Sequence, residues 1–152
     1  MKISRRQFLA GVGAAGAALA ADAFGLEANR VFLTRHQVLV PDLPRELQGL
    51  RIAQVSDVHF PGNRTAAHAA LEHLNRERPD VVVLTGDMTE TADGLIQVRD
   101  FAANARGRLA TVALLGNWEY LAGVNGYRAQ DAYQRAGVDL LVNGCKTVDV
   151  GG

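Results

Sequence analysis

The sequence predicts an α/β fold built on a parallel sheet, and three observations support that class. Short apolar runs at Leu50–Val55, Val81–Leu84 and Ala110–Leu115 each lead into a polar motif: Asp57-x-His59, then Gly86-Asp87-Met88-Thr89-Glu90, then Gly116-Asn117-Trp118-Glu119. The gap from His59 to Gly86 holds 26 residues and that from Glu90 to Gly116 holds 25, room in each for one helix and one strand. Amphipathic stretches fill both gaps. Right-handed crossovers would bring the three strand ends to one edge, where open α/β sheets place their sites.

The chain opens with an address. Ser4-Arg5-Arg6-Gln7-Phe8-Leu9 resembles a twin-arginine export signal, and a Gly/Ala-rich, weakly apolar stretch from Ala10 to Ala21 follows it. Small residues at Ala18 and Ala20 predict cleavage after Ala20. The expected organisation is therefore a signal peptide over 1–20, a mature N-terminal segment over 21–30 and one domain over 31–152. The expected location is extracytoplasmic or periplasmic, with the twin-arginine translocation machinery as a partner. An uncleaved leader would add a membrane contact, although the apolar stretch falls short of the roughly 20 residues a spanning helix needs. Within it, Gly11-Val12-Gly13-Ala14-Ala15-Gly16 matches the dinucleotide pattern Gly-x-Gly-x-x-Gly. No strand precedes it, so no pyrophosphate cradle is expected.

In the body, Val31–Val40 reads as a first strand, ended by Pro41 and Pro44. Leu50–Val55 is the next, with Pro61-Gly62-Asn63 turning the chain beyond His59. Ala67, Ala70, Leu71 and Leu74 recur at helical spacing across Thr65–Arg76, and Pro79 closes that helix. Val81–Leu84, unbroken and apolar, fits a central strand covered on both faces. Leu95, Val98, Phe101, Ala102 and Ala105 mark a second helix that ends near Gly107. After the strand Ala110–Leu115, a helix over Tyr127–Ala136 carries Ala129, Ala132, Tyr133 and Ala136 inward, with Gly137 as its cap. Strands are then expected near Val138–Val142 and Lys146–Val150.

Composition narrows the function classes. Sixteen basic residues balance sixteen acidic ones, and without residues 1–20 the count is 13 against 16, a formal charge of −3. That leaves no nucleic-acid footprint and suits cation binding. Cys145 is the single cysteine, which excludes an internal disulfide and a cysteine-based zinc site; it reads as a small core residue. His36, His68 and His73 read as surface histidines, the last two being five apart and so off a common helix face.

The three motifs together read as a metal site. Hydrolysing a phosphate ester near neutral pH calls for a hydroxide and for cations that absorb charge on the phosphoryl oxygens, and two metals about 3.5–4 Å apart supply both. Asp87 can bridge such a pair through its two oxygens. Asp57 and His59 can ligate the first metal, and Asn117 the second through a neutral amide oxygen that adds no charge to repel phosphate. Gly86 and Gly116 precede ligands at sharp turns, where a side chain would crowd the backbone. Manganese, iron and zinc all tolerate this donor set. Glu90 is a candidate to orient its loop around the ligands.

On these motifs, from about Val31 onward, the chain resembles the calcineurin-like metallophosphoesterases, whose pattern is Asp-x-His, Gly-Asp-x-x-Asp/Glu and Gly-Asn-His-Asp/Glu about two dozen residues apart. The lead-in Leu43-Pro44 with Leu47-Gln48-Gly49-Leu50-Arg51-Ile52 also resembles exported members that act on lipid or cell-envelope phosphates. The resemblance implies metal-ligand roles for Asp57, His59, Asp87 and Asn117, two divalent cations, and the first half of a four-layer αββα sandwich. It implies a phosphate mono- or diester, or a pyrophosphate, as substrate, attacked by a metal-bound hydroxide. Two departures stand out. Trp118 replaces the family's histidine and cannot give a proton, so leaving-group protonation falls to another group, with Glu119 a candidate, or the leaving group hardly needs it. Trp118 itself is then a pocket wall or a substrate-stacking face. The family's later histidines have no match before Gly152, so an N-terminal piece of a longer enzyme, inactive alone, is the expectation. The alternative is a catalytically impaired metal- or ligand-binding module on the same fold.

Overall fold

The computed structural model describes residues 4–21, 31–62, 64–124 and 126–151 and divides into two units, Met1–Phe32 and Leu33–Gly152. In the first unit Arg5–Ala21 forms helix α1. Gly11, Gly13 and Gly16 lie inside that helix and not at a strand-to-helix turn, in keeping with their rejection as a nucleotide loop. Among the described residues no helix is long and apolar enough to cross a membrane. Apart from Ala21, the expected segment 21–30 lies outside the described residues.

The second unit alternates strand and helix as its periodicity predicts: β1 (Ile52–Val55), α2 (Arg64–Glu77), β2 (Val81–Leu84), α3 (Leu95–Asn104), β3 (Ala110–Ala113), α4 (Asn117–Leu121), α5 (Gly126–Arg135) and β4 (Asp139–Leu140). The strands form one parallel sheet in the order β1-β2-β3-β4. Register places Ala53 beside Val82 and Val55 beside Leu84, and Leu84 beside Ala113. This pleat meets a core of Leu74, Val98, Phe101, Ala102 and Tyr133 from the helices. Burying each large apolar side chain contributes about 1.5–3 kcal/mol, so the helix layer and the sheet hold each other. Helix α3 packs against both α2 and α5. The other pleat is less covered, with Ile52 64% exposed and Val83 partly so; coverage of β2 on both faces is thus only partial.

Several expectations are corrected. Residues 31–40 form no strand; Val38 and Leu39 are exposed, and the segment is held by an ion pair from Arg35 to Glu77. Alternation specifies an extended chain, but a strand also needs a partner edge, and among the described residues no ladder reaches this segment. Lys146–Val150 is likewise not a strand, β4 is only two residues long, and Cys145 is exposed. Helix α4, directly after Gly116, was not expected.

At the end of the sheet opposite the motifs, Asp80 ties three strand entrances together. Its Oδ2 accepts from Arg51 N–H at 2.8 Å, its Oδ1 accepts from the Arg108 guanidinium, and its carbonyl accepts from Leu109 N–H at 2.8 Å. The side chain is 8% exposed. The Arg51 backbone hydrogen bond, then the Arg108 side-chain bond, hold its pKa below the ordinary carboxylate value against the opposing effect of burial. Stabilisation from such a group is complete above the unfolded-state pKa and is lost as pH falls through the folded-state value. Asp80→Asn is expected to cost about 1–3 kcal/mol near neutral pH. Thermal unfolding followed down to strongly acidic pH should show the wild type losing its advantage over the variant.

Candidate metal centre

Each motif leaves the carboxyl end of its strand, and the backbone carries the first two together. The β1–β2 ladder continues past the strand ends: Asp57 N–H donates to Gly86 O (3.2 Å), His59 N–H to Asp87 O (3.1 Å) and Phe60 N–H to Met88 O (2.8 Å), and Glu90 N–H returns to Phe60 O (3.0 Å). The first two loops are therefore in parallel register. Asp57, His59 and Asp87 all have positive φ, at 58°, 54° and 53°. That region is uncommon for residues other than glycine and costs on the order of 1 kcal/mol each, and it clusters where side chains must be aimed.

The result is a convergent donor set. One ligand atom from each of Asp57, His59 and Asp87 lies within 4.8 Å of the others. His59 Nε2 is 3.8 Å from Asp57 Oδ1. On the other side of the ring, Nδ1 is buried and lies 3.1 Å from Glu90 Oε1, but off the direction of a proper hydrogen bond. Glu90 thus stands behind the imidazole, as carboxylates do behind metal-ligating histidines. Two carboxylates brought this close repel each other unless a cation lies between them, and two hard oxygens with one imidazole nitrogen suit a divalent ion. The residues fit a metal.

The third motif joins through contacts that spacing did not disclose. Gly86, at φ +90°, packs so tightly on Gly116 that a Cβ on it would sit 2.2 Å from Gly116 N; a Cβ on Gly116 would sit 2.2 Å from Asp87 Oδ1. The close approach expected at both glycines is thus the contact between their two loops. Trp118 N–H donates to Asp87 Oδ1 at 2.8 Å, leaving that carboxylate further lone pairs for a cation. Asn117 is exposed and opens α4 between two residues that both touch Asp87. The Trp118 ring meets His59 edge-on, centroids 5.5 Å apart, and is 39% exposed.

Glu119 is placed differently from a proton donor facing substrate. It is 1% exposed. Oε1 accepts from Met88 N–H (2.6 Å) and Thr89 N–H (3.3 Å), and Oε2 from Asp87 N–H (3.0 Å) and Gly116 N–H (2.8 Å). A signal for this was present in the sequence, since Gly116 and Glu119 stand at the cap-to-third-residue spacing of a capping box. Nearby Tyr133 is 1% exposed and its hydroxyl has no hydrogen-bond partner among the described residues. Burial first, and then the charge of Glu119, hold its pKa well above the ordinary phenol value.

Comparison with known proteins identifies the family. The sequence pattern of the calcineurin-like phosphoesterases matches residues 50–149. An uncharacterized metallophosphoesterase, YkuE, of Bacillus subtilis is 34% identical over 101 residues, covering 60% of this chain and 35% of the relative. The UDP-2,3-diacylglucosamine pyrophosphatase LpxG of Chlamydia muridarum is 34% identical over 101 residues, covering 62% of this chain and 30% of the relative. A transmembrane protein with a metallophosphoesterase domain from Danio rerio is 30% identical over 87 residues, covering 55% and 20%. The chain spans about a third of the length of the first two of these relatives. No solved structure matches it.

Two outcomes follow from strain and packing at these loops. Asp57→Gly, which relieves a positive φ and a carboxylate repulsion, is expected to raise the stability of the metal-free protein by about 0.5–1 kcal/mol. The same variant should lose the manganese-induced rise in melting temperature, so denaturant titration and melting with and without metal check both halves. Gly116→Ala is expected to cost about 1–3 kcal/mol through overpacking. Gly86→Ala should cost about 1 kcal/mol more because its φ also excludes a side chain, and urea midpoints of the pair would show the order.

Proposed function

This chain belongs to the calcineurin-like phosphoesterase family, and on that premise we propose that it supplies the metal-holding residues of a metal-dependent phosphoesterase. The observation that carries this reading is the convergence of Asp57, His59 and Asp87 ligand atoms within 4.8 Å. Asp57, His59 and Asp87 would hold divalent metal here, with Asn117 offering a further amide oxygen. When bound, such cations neutralise phosphoryl oxygens and lower the pKa of coordinated water. Glu90 stands behind the His59 ring, 3.1 Å from Nδ1, and would orient it as a carboxylate partner. Trp118, edge-on to the His59 ring and 39% exposed, would serve as a wall of the site or as a stacking face for substrate.

The substrate reading follows from what Trp118 cannot do. Indole has no proton to give an alkoxide, so the site suits a leaving group that departs as a stable anion, as the phosphate half of a pyrophosphate does. Support comes from the chlamydial relatives named as pyrophosphatases of a diacylated nucleotide sugar. A pyrophosphate linked to a lipid or to the cell envelope is therefore the proposed substrate class, with residues 1–20 as a twin-arginine export signal and 31–152 as domain. The second reading, an impaired binding module on the same fold, is favoured by Trp118 alone.

Assay of the full-length protein under manganese separates the two. A pyrophosphate-linked diacyl sugar nucleotide should be hydrolysed at least tenfold faster than an unactivated alkyl phosphodiester, and Asp87→Ala should abolish more than 99% of the activity, about 3 kcal/mol or more of transition-state stabilisation. Hydrolysis no faster than the Asp87→Ala control on any phosphoester would sink the enzyme reading and leave the binding module.

A further inference from the structure

We propose that Glu119 is a positioning residue whose carboxylate locks the Asp87 loop to the Gly116–Asn117 loop and so sets the metal-binding geometry before any cation arrives. The inference rests on the metal-site reading above but assigns Glu119 a part that neither the motif nor the comparisons give it. The four N–H groups it accepts come from two loops that are about thirty residues apart in sequence: Asp87, Met88 and Thr89 on one, Gly116 on the other. Oε2 is the bridging atom, taking Asp87 N–H and Gly116 N–H together. These are the amides of a candidate ligand and of the residue just before another. Each oxygen already accepts two donors, so the carboxylate's acceptor sites are filled by the two loops, and the side chain is shut off from solvent.

The loops depend on this carboxylate. The first two loops share a backbone ladder, whereas between the second and third the described hydrogen bonds are Leu114 N–H to Leu84 O in the sheet, Trp118 N–H to Asp87 Oδ1 and the Glu119 set. Two loops tied in this way keep Asp87 and Asn117 at a constant separation, which a shared cation pair requires. Charge-assisted bonds of this kind are about twice as strong as neutral ones.

Glutamine makes the sharp test, being the same size but donating on one side. Whichever way the amide faces, its NH2 opposes two backbone N–H groups, so Glu119→Gln should be no rescue. Aspartate is one methylene too short to reach both loops. Manganese titration of the full-length wild type, Glu119→Gln and Glu119→Asp should show affinity falling about ten- to a hundredfold in both variants, while the pH profile of residual kcat keeps its shape. Unchanged manganese affinity, with loss of the basic limb of the kcat profile, would overturn the proposal and restore Glu119 as a proton donor. Should either variant fail to fold, amide hydrogen exchange on the metal-free wild type decides. The Asp87, Met88 and Gly116 amides are expected to be protected at least a hundredfold over an unstructured peptide, and free exchange until metal is added would refute a pre-set lock. If the wild type binds manganese yet hydrolyses nothing, the phosphoesterase reading falls and the lock is still judged by affinity and exchange.

Discussion

The site depends on a seam only one backbone thick, where the loop after β2 meets the loop after β3. Gly86 and Gly116 face each other so closely that neither tolerates a Cβ, and the amides left around that contact turn toward one buried carboxylate. Steric closeness sets how near the loops come, and hydrogen bonds to Glu119 set how they are oriented. Asp87 is pinned at three atoms: its carbonyl accepts from His59 N–H, its amide donates to Glu119 and its Oδ1 accepts from Trp118 N–H. A side chain held in this way meets a cation with little reorganisation, which is the condition for a tight and selective metal site.

Rigidity at this seam is matched by strain across it. Three of the candidate ligands hold positive φ angles, and two of them are carboxylates directed at one small volume. The sheet and helix layer must supply stability enough to keep them there. They do so from a distance, through the apolar pleat of Val82, Leu84 and Ala113 under the helices and through Asp80 at the opposite strand ends. One end of the sheet thus holds charge that is fully paired within the chain. The other brings the carboxylates of Asp57 and Asp87 together with His59, a donor set that fits a cation.

Much of this was legible in the residues themselves. Short apolar runs located β1 to β3 and period-3.6 patterns located α2, α3 and α5, because each of these elements buries apolar residues in a common core. Matched gaps put the three motifs at the same strand ends, since parallel crossovers leave no other economical arrangement. The extended segment at Val31–Val40 failed for a complementary reason: its alternation encodes a preference for extension, while the hydrogen bonds that make a strand belong to a partner. Cys145 was misjudged similarly, since a small apolar residue carries no signal of which side of the surface it ends on.

What the linear order determined by itself was the class of fold, the strand tips and the donor types, all consequences of local periodicity and of chemistry that each residue carries alone. Tertiary structure decided which donors converge, that Glu119 turns inward to four amides, that Glu90 stands behind His59, and that Trp118 leans its edge on the same ring. Those are relations between loops about thirty residues apart, and no local pattern encodes a distance across them. They exist only once the sheet has set its strands side by side.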